Sequence, residues 1–260
     1  MAKPIIVDTG NKYGNMNSAK KFYPEDWTPE QRAREFLKHR IAVGNDYGFD
    51  GHKMFMADQE HKTGTYFEIT NDYVEANPNG WTDIPQDILI ITEKTPGIVI
   101  GHPVADCPVV MMTDVKKGVT AIGHCSAELI DKKMPMMVAD ALLSAYHSRD
   151  EDIITYVSSC ASDSWTYNNY PSWAKDAIMW EGGIYTDDNN IFHIDLRKVI
   201  AKQLQERNIS NVNFNMNDTI TNENYFSNFA ASPYGLNDPS KEGRNFDGIF
   251  YPEENRGKAR

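Results

Sequence analysis

The segment VADCPVVMMTDVKKGVTAIGHCSAE, residues 104–128, constrains the fold more than any other part of this chain. Two apolar runs, PVVMMT and GVTAIGH, flank DVKKG, whose Asp, Lys and Gly residues are typical of a tight turn. The pattern therefore predicts a β-hairpin. Folding the chain back about Val115–Lys116 places Cys107 directly opposite His124, or one residue away from it. Because cross-strand neighbours have Cβ atoms about 4.5–5.5 Å apart, we expect a thiol and an imidazole to meet at the open end of the hairpin.

Two kinds of functional site use a thiol beside an imidazole. In a cysteine hydrolase, the histidine activates a nucleophilic thiolate. In a zinc site, both groups are ligands and a third ligand comes from elsewhere in the chain. A third interpretation is a buried core cysteine next to a hydrogen-bonded histidine, because free cysteine is among the most buried residue types. Cys107 and His124 alone leave all three interpretations open.

The flanking segments predict strands and helices in a mixed order. QDILIITEK and the run GIVIGHPVADCPVVMMTD are rich in Ile and Val and predict strands separated by Pro96–Gly97. TPEQRAREFLKHRIAV predicts a helix that has Thr28 as its N-cap and Pro29 at its first position and runs to about Val43. Because strands and helices do not alternate strictly, we expect a mixed sheet rather than a purely parallel one.

Three segments in the second half of the chain also carry clear patterns. KKMPMMVADALLSAYHS predicts a helix with a broad apolar face, and HIDLRKVIAKQLQERN predicts a helix with one apolar stripe and Asp195 as its N-cap. NVNFNMND alternates Val212, Phe214 and Met216 with polar residues, which predicts a half-buried strand.

Composition limits the partners and the compartment. The chain has 260 residues, of which 40% are hydrophobic, and no repeat or linker divides it, so we predict one domain over residues 1–260. A net charge of -11 provides no basic excess for a nucleic acid or an anionic membrane. We find no signal-peptide pattern and no apolar run near the roughly 18 residues that a membrane span needs. The three cysteines have no framework spacing, which indicates a reducing cytoplasm.

Short blocks of this sequence resemble, in chain order, the motifs of the laccase-domain family. ADCPVVMMTD and TAIGHCSAE resemble the ADCLPVLL and HAGWRG blocks of that family. DQEHKT resembles its QVHG block, QDILIITEKTPG its DALVT…PG block, and FHIDLRKVIAKQL its HLDL…QL helix. DTITNENYFSNF with EGR resembles its closing CT…FFSYRR…GR blocks, so that the resemblance extends from about Asp58 to Arg244.

The resemblance implies both a fold and an activity. Members of the family have been called polyphenol oxidases and multi-copper oxidoreductases, and are now treated as zinc-dependent purine nucleoside phosphorylases with adenosine deaminase side activity. The implied fold is α/β, a single domain with a mixed β-sheet core flanked by helices. This is the laccase-domain fold, which resembles that of cysteine hydrolases of the cytotoxic necrotizing factor type.

The resemblance also implies a set of site residues. The zinc ligands, which would also be the catalytic residues, map to His61, Cys107 and His124, with a fourth position open to water or substrate. Such an open site is typical of catalytic zinc rather than structural zinc. Contacts to substrate or phosphate would map to Arg244, Glu128 and Cys160.

This sequence departs from the family motifs at positions where the family has arginines. Glu128 stands where the family block HAGWRG has its Arg, and Phe229 and Ala230 stand where the family has a pair of arginines. Because a dianion leaves water only for strong charge-assisted donors, we expect phosphorolysis to be weak or absent. The sequence leaves open that relocated cations bind phosphate instead, for instance Arg149 or Arg197.

The sequence therefore predicts a cytoplasmic zinc enzyme that acts on purine nucleosides, as a phosphorylase or as an adenosine deaminase. A purine nucleoside is the expected partner, a homodimer is the assembly considered, and neither nucleic acid nor membrane is expected. Two alternatives stay open: a cysteine hydrolase or deamidase that uses Cys107 and His124, and a non-catalytic family member with a binding or structural role. Seven histidines without His-x-His pairs cannot build a multicopper centre, so no laccase activity is expected.

Overall fold

Two mixed β-sheets packed face to face carry the core of the protein, whose computed structural model describes residues 2–57, 64–80 and 83–253. The strands are β1 Ile5–Asp8, β2 Met54–Ala57, β3 Tyr66–Glu68, β4 Asp83–Ile84, β5 Ile88–Thr92, β6 Val99–Val104, β7 Val109–Asp114, β8 Val119–His124, β9 Ile153–Val157, β10 Thr166–Tyr167, β11 Ile184–Thr186, β12 Phe192–Ile194, β13 Val212–Phe214 and β14 Asn245–Phe250. The helices are α1 Pro29–Tyr47, α2 Asn71–Ala76, α3 Ala127–Asp131, α4 Met134–Asp140, α5 Leu196–Gln205 and α6 Asn228–Ala231. Shorter helical turns lie at Lys20–Phe22, Gly51–Lys53, Ala141–Ala145, Asp150–Asp152 and Pro239–Lys241.

The strand order confirms the predicted fold class, an α/β protein with mixed sheets. The first sheet has the order β1-β14-β6-β2-β4, in which β14 is antiparallel to both of its neighbours and β2 is parallel to both of its own. The second sheet has the order β13-β9-β7-β8-β5-β3, with antiparallel pairs in the middle and a parallel pair at each edge. A small antiparallel sheet, β10-β12-β11, completes the strand arrangement of the described residues.

Helices pack on the outer faces of the two large sheets. Helix α1 begins as predicted at a capping box, in which Thr28 and Gln31 bond each other's backbone N–H groups. It runs beyond the predicted end to Tyr47, and Gly48 at φ 86° ends it. Helices α4 and α5 bury their apolar faces against the second sheet, and Asp195 is the N-cap of α5 as predicted. None of the helices among the described residues is long and apolar enough to cross a membrane.

The β7–β8 hairpin forms, but its register differs from the prediction. Val109, not Cys107 or its immediate neighbour, lies opposite His124. The reason is a longer loop: pairing ends at Asp114 opposite Val119, and four residues connect the two strands. The Asp114 carboxylate accepts the backbone N–H groups of Lys116 and Lys117 at 2.9 Å each, which stabilises this loop. The predicted register was therefore wrong.

Strand β13 is shorter than its alternating sequence predicts. Val212 and Phe214 are half-buried, but Met216 is 72% exposed. The strand ends because the Asn215 side chain accepts the backbone N–H of Asn217, which turns the chain away from the sheet. The predicted strand exists, and its predicted extension to Met216 was wrong.

Candidate functional site

A cavity of about 500 Å³ opens beside the residues that precede β7. Aromatic rings, amides and hydroxyl groups dominate its lining, and Cys107 is part of it. Among the described lining residues, Asp106 has the only charged side chain. The lining consists of Ala105, Asp106, Cys107, Trp165, Thr166, Tyr167, Asn168, Asn228, Phe229, Ser232, Tyr234, Gly235 and Leu236.

A left-handed turn brings Cys107 to this cavity. Asp106 has φ 77°, a conformation that Asp tolerates better than most residues, between the end of β6 and the start of β7. Cys107 follows it, half-buried. Burial raises the pKa of the Cys107 thiol to about 12, the neighbouring Asp106 adds to the rise, and the positive charge of Arg244 opposes it.

His124 is buried at the end of β8 and is offset from Cys107 along the hairpin. The ladder continues one pair beyond the strands, because the N–H of Cys125 donates to the carbonyl of Pro108 at 2.8 Å. Cys107 therefore lies two residues before Val109, the partner of His124, in the turn that precedes β7, and is diagonal to His124 rather than opposite it.

A second histidine faces His124 from the opposite sheet. The rings of His102 and His124 have their centroids 5.8 Å apart, at 32° to each other. His102 is only 1% exposed, and neither of its ring nitrogens has a hydrogen-bond partner among the described residues. Burial, and secondarily His124, lowers the pKa of His102 well below its usual value. No local sequence pattern predicts this pairing, because the two histidines lie on strands of different sheets.

Two carboxyl groups extend the polar region along the first sheet. Asp8, Asp247 and His102 are successive cross-strand neighbours on β1, β14 and β6. One Asp8 oxygen accepts from Asn215 at 2.6 Å, and burial raises the pKa of Asp8. The pKa of the fully buried Asp247 is raised well above its usual value, first by burial and then by Asp8. No local sequence pattern indicated this row, because its members lie on strands that are far apart in the chain.

Arg244, which the resemblance assigns to substrate or phosphate, interacts electrostatically with the Cys107 thiol. Its guanidinium donates to the carbonyl of Gly243 at 2.7 Å and stands over the ring of Phe22, 4.8 Å from the ring centroid. Burial lowers its pKa, whereas its electrostatic interactions with Cys107 and Asp106 raise it. A cation is thus available beside the cavity, although Arg244 does not belong to the described lining.

The other two residues assigned to substrate or phosphate lie elsewhere. Glu128 is exposed in the first turn of α3, whose N-cap is Ser126. Cys160 is fully buried in the core beneath the second sheet, and burial raises the pKa of its thiol. Neither residue is among the described cavity-lining residues, so their assignment to a substrate contact stays a prediction.

The two arginines considered as relocated cations are engaged with other groups. Arg149 pairs with Asp152 at 2.8 Å and with Glu151 at 3.2 Å. Arg197 donates to the carbonyl of Asn215 at 3.3 Å. Neither arginine is among the described residues that line the cavity.

Part of the aromatic segment of residues 165–185 forms a wall of the cavity. Trp165 and Tyr167 line it, and Trp165 stacks on Trp173 with the ring centroids 5.5 Å apart. Trp173 in turn makes an edge contact at 4.8 Å with Trp180, which belongs to the buried core. The segment therefore contributes rings both to the cavity wall and to the buried core.

The residues present suit a zinc ion in their chemistry. His61, the third ligand implied by the family, lies outside the described residues. Within the described ranges, no three His, Cys, Asp or Glu side chains are grouped so that they could hold a metal ion. Cys107 and His124 nevertheless offer the thiolate and imidazole that zinc prefers. Near His124, neither ring nitrogen of the buried His102 has a hydrogen-bond partner among the described residues.

The fold and the site together define a class of protein. It is a two-sheet α/β protein that presents a cysteine from a left-handed turn, close to a buried histidine at the end of the adjacent hairpin strand. The sequence model of the family described as multi-copper polyphenol oxidoreductase laccase matches residues 27–246, and the chain belongs to this family. The resemblance predicted from the motifs is therefore confirmed.

Solved structures of similar fold agree with this assignment. YlmD from Geobacillus stearothermophilus has a TM-score of 0.72 at 14% identity, with coverage of 97% of this chain and 92% of that one. The hypothetical protein YfiH of Bacillus licheniformis has a TM-score of 0.66 at 18% identity, with coverage of 84% and 81%. A protein of Neisseria meningitidis has a TM-score of 0.66 at 15% identity, with coverage of 92% and 86%. A comparison with curated proteins finds no match.

Proposed function

We propose that this protein is a zinc-dependent enzyme that acts on purine nucleosides and does not require inorganic phosphate. The observation that carries the proposal is the cavity of about 500 Å³, which combines an aromatic wall, amide side chains and the Cys107 thiol. The family assignment supports an enzyme of the laccase-domain type. The metal, the substrate, the cytoplasmic location and a homodimeric assembly are parts of the proposal.

The lining of the cavity suits a planar and uncharged ligand. Aromatic rings such as Trp165 and Phe229 offer stacking surfaces to a heterocyclic base. Trp165 is already held against Trp173, so little conformational entropy is lost when a base stacks on it. Asn168 and Asn228 provide both donors and acceptors for the polar edge of a base.

The same lining disfavours a phosphate dianion. Such an anion needs charge-assisted donors, whereas the only charged side chain in the described lining is that of Asp106. Phe229, which occupies the position of a family arginine, places an apolar ring in the cavity, and Ala230 is buried beside it. Glu128 repels a phosphate anion less than its charge suggests, because solvent screens an exposed carboxylate.

The proposed metal ligands are His61, Cys107 and His124. Zinc bound there would lower the pKa of a water molecule toward 7 or polarise a substrate oxygen. The chain's own residues provide the rest: the aromatic wall orients the base, and the charge of Arg244 favours the thiolate form of Cys107. The walls also shield the reacting groups from bulk water.

The cysteine hydrolase alternative has less support. A nucleophilic cysteine needs a lowered pKa, but burial raises that of Cys107 to about 12. The hairpin register also leaves His124 diagonal to Cys107 rather than opposite it. A non-catalytic role in binding or assembly is the remaining alternative, and measurements of turnover distinguish it from the proposal.

The zinc site is tested by metal analysis of the purified protein and its variants. We expect about one zinc per chain, and we expect its loss in Cys107→Ala and His124→Ala. Cys125→Ala is the matched control, because this neighbouring cysteine lies in the core on the other side of the sheet. Full zinc content in Cys107→Ala would rule out this site.

The phosphate requirement is tested by product release from adenosine and inosine across a phosphate titration. We expect turnover without phosphate and little increase when it is added. Phe229→Arg should introduce a phosphate dependence, because it puts a cation into the cavity lining, whereas Glu128→Arg should have a smaller effect at its exposed position. Strong, saturable phosphate dependence in the unaltered protein would contradict the proposal, and absence of any turnover would favour the non-catalytic alternative.

A further inference from the structure

The carboxylate of Asp106 connects the turn that carries Cys107 to the segment that contributes Asn228 and Phe229 to the cavity lining. One of its oxygens accepts the Thr219 hydroxyl at 2.7 Å, and the other accepts the backbone N–H of Phe229 at 2.7 Å. Burial raises the pKa of Asp106, and the Phe229 N–H and the Ser227 hydroxyl limit the rise. Phe229 and its neighbour Asn228 both line the cavity.

The backbone of Asp106 fixes the turn from the other side. Its carbonyl accepts the N–H of Ala161 at 2.8 Å, which attaches the turn to the segment that follows β9. Its φ of 77° sets the direction in which the chain continues into Cys107. A single residue therefore fixes the position of the thiol and the position of the segment that contributes Asn228 and Phe229.

The hydrogen bonds indicate which role this carboxylate plays. Both oxygens accept hydrogen bonds from donors within the protein, and the group is 93% buried, being 7% exposed. A general base needs an oxygen free to take a proton from the substrate. The bonds to Thr219 and Phe229 instead make Asp106 a rigid acceptor that holds its donors at a fixed distance.

We propose that Asp106 is the positioning residue of this site: it sets the distance between the Cys107 thiol and the wall formed by residues 227–229. Only the expected effect on catalysis rests on the proposed function. Because rates depend steeply on the relative position of reacting groups, loosening this connection lowers kcat more than it raises KM.

Asp106→Asn is the informative substitution. Asn also tolerates the left-handed conformation and has nearly the same shape, so the turn is retained. Its amide oxygen can still accept the Phe229 N–H, and its NH2 group can donate to the Thr219 hydroxyl oxygen, so the substitution turns a charge-assisted hydrogen bond to Phe229 into a weaker neutral one. Thr219→Val removes a single hydrogen bond and should produce a smaller effect in the same direction.

Asp114→Asn is the matched control. Asp114 lies at the other end of β7, is fully buried, and also accepts two backbone N–H groups. It therefore reports the general effect of neutralising a buried turn carboxylate far from the cavity.

The first measurement is hydrogen exchange, which does not depend on activity. In Asp106→Asn, amides of residues 227–231 should exchange about tenfold faster, the change expected when a charge-assisted hydrogen bond becomes a neutral one. Asp114→Asn should leave them unchanged. Unchanged exchange in Asp106→Asn would overturn the inference.

The second measurement is steady-state kinetics with zinc analysis. Asp106→Asn should keep its zinc and lose about tenfold or more in kcat, with a smaller change in KM. Loss of zinc together with activity would overturn the inference, since Asp106 would then act on the metal site. Faster exchange in Asp106→Asn, combined with no turnover by the unaltered protein, would support the connection and overturn only the proposed function.

Discussion

At the scale of single residues, the most unusual feature is the polar row inside the sheet interface. Asp8, Asp247 and His102 adjoin on three neighbouring strands, on the face that also carries apolar core residues such as Ile100 and Ile249. Burying a carboxyl group in such surroundings favours its neutral form. The raised pKa of Asp247 and of Asp8 follows from this, and it has a measurable effect on stability.

Asp247→Asn should stabilise the protein at neutral pH. Folding raises the pKa of Asp247 well above its unfolded value of about 3.9. The contribution of the protonated Asp247 side chain to the free energy of unfolding is therefore complete below about pH 3.9 and is lost as the pH rises through the folded pKa. Removing the ionisable group should raise the free energy of unfolding at pH 7.5 by about 1–3 kcal/mol. The difference should disappear near pH 4.

Urea unfolding of the two proteins between pH 4 and 8 measures this difference. Asp114→Asn is the contrast, because the Asp114 carboxylate accepts two backbone N–H groups and its neutralisation should destabilise. A variant at Asp247 that is less stable than the unaltered protein by the same amount at every pH would show that the ionised form is not penalised.

At the scale of secondary-structure elements, local signals predicted the elements better than their pairing. The caps at Thr28 and Asp195 were predicted because a side chain and a backbone group a few residues away decide them. The hairpin itself was predicted for the same reason. Its register was not, because two turn lengths fit the sequence and only the completed loop, with Gly118 at φ 61°, selects one of them.

Gly118→Ala tests, by urea unfolding, whether this loop requires a residue that adopts the left-handed conformation. The left-handed conformation costs a residue with a Cβ roughly 1–2 kcal/mol, and a Cβ at this position would also approach the Glu93 side chain at 2.6 Å. We expect the free energy of unfolding to fall by about this amount. Gly118→Asn should lose less, because Asn adopts this conformation more readily, and equal losses would show that the contact with Glu93 dominates.

At the scale of the whole molecule, the cavity is assembled from segments that no local pattern connects. Cys107 comes from the turn before β7, Trp165 from the segment that leads into β10, and Phe229 from α6. The motifs point to Cys107 and Arg244 as site residues, which stays a prediction, whereas the aromatic wall depends on how distant segments pack and has no motif of its own. Even the strand β1 near the start of the chain pairs with β14 near its end.

The distribution of histidines over the molecule leads to a prediction about redox chemistry. The family description names copper, and a multicopper oxidase needs several histidine-rich sites close together. The six histidines among the described residues are dispersed: His39 on α1, His52 in the turn Gly51–Lys53, His102 and His124 on facing sheets, His147 after the turn Ala141–Ala145, and His193 on β12. Only His102 and His124 come into ring contact with each other. Such a dispersed set cannot form a multinuclear copper centre.

We therefore expect no copper-dependent phenol oxidation. The test is oxygen uptake with 2,6-dimethoxyphenol by protein whose copper and zinc have been quantified, before and after incubation with copper and removal of the excess. Uptake should stay at the level of free copper at the same concentration, and Cys107→Ala should behave identically. Rapid oxygen uptake by protein that holds several copper ions per chain, lost in a His124→Ala variant, would show that the histidines assemble a centre that their positions do not predict.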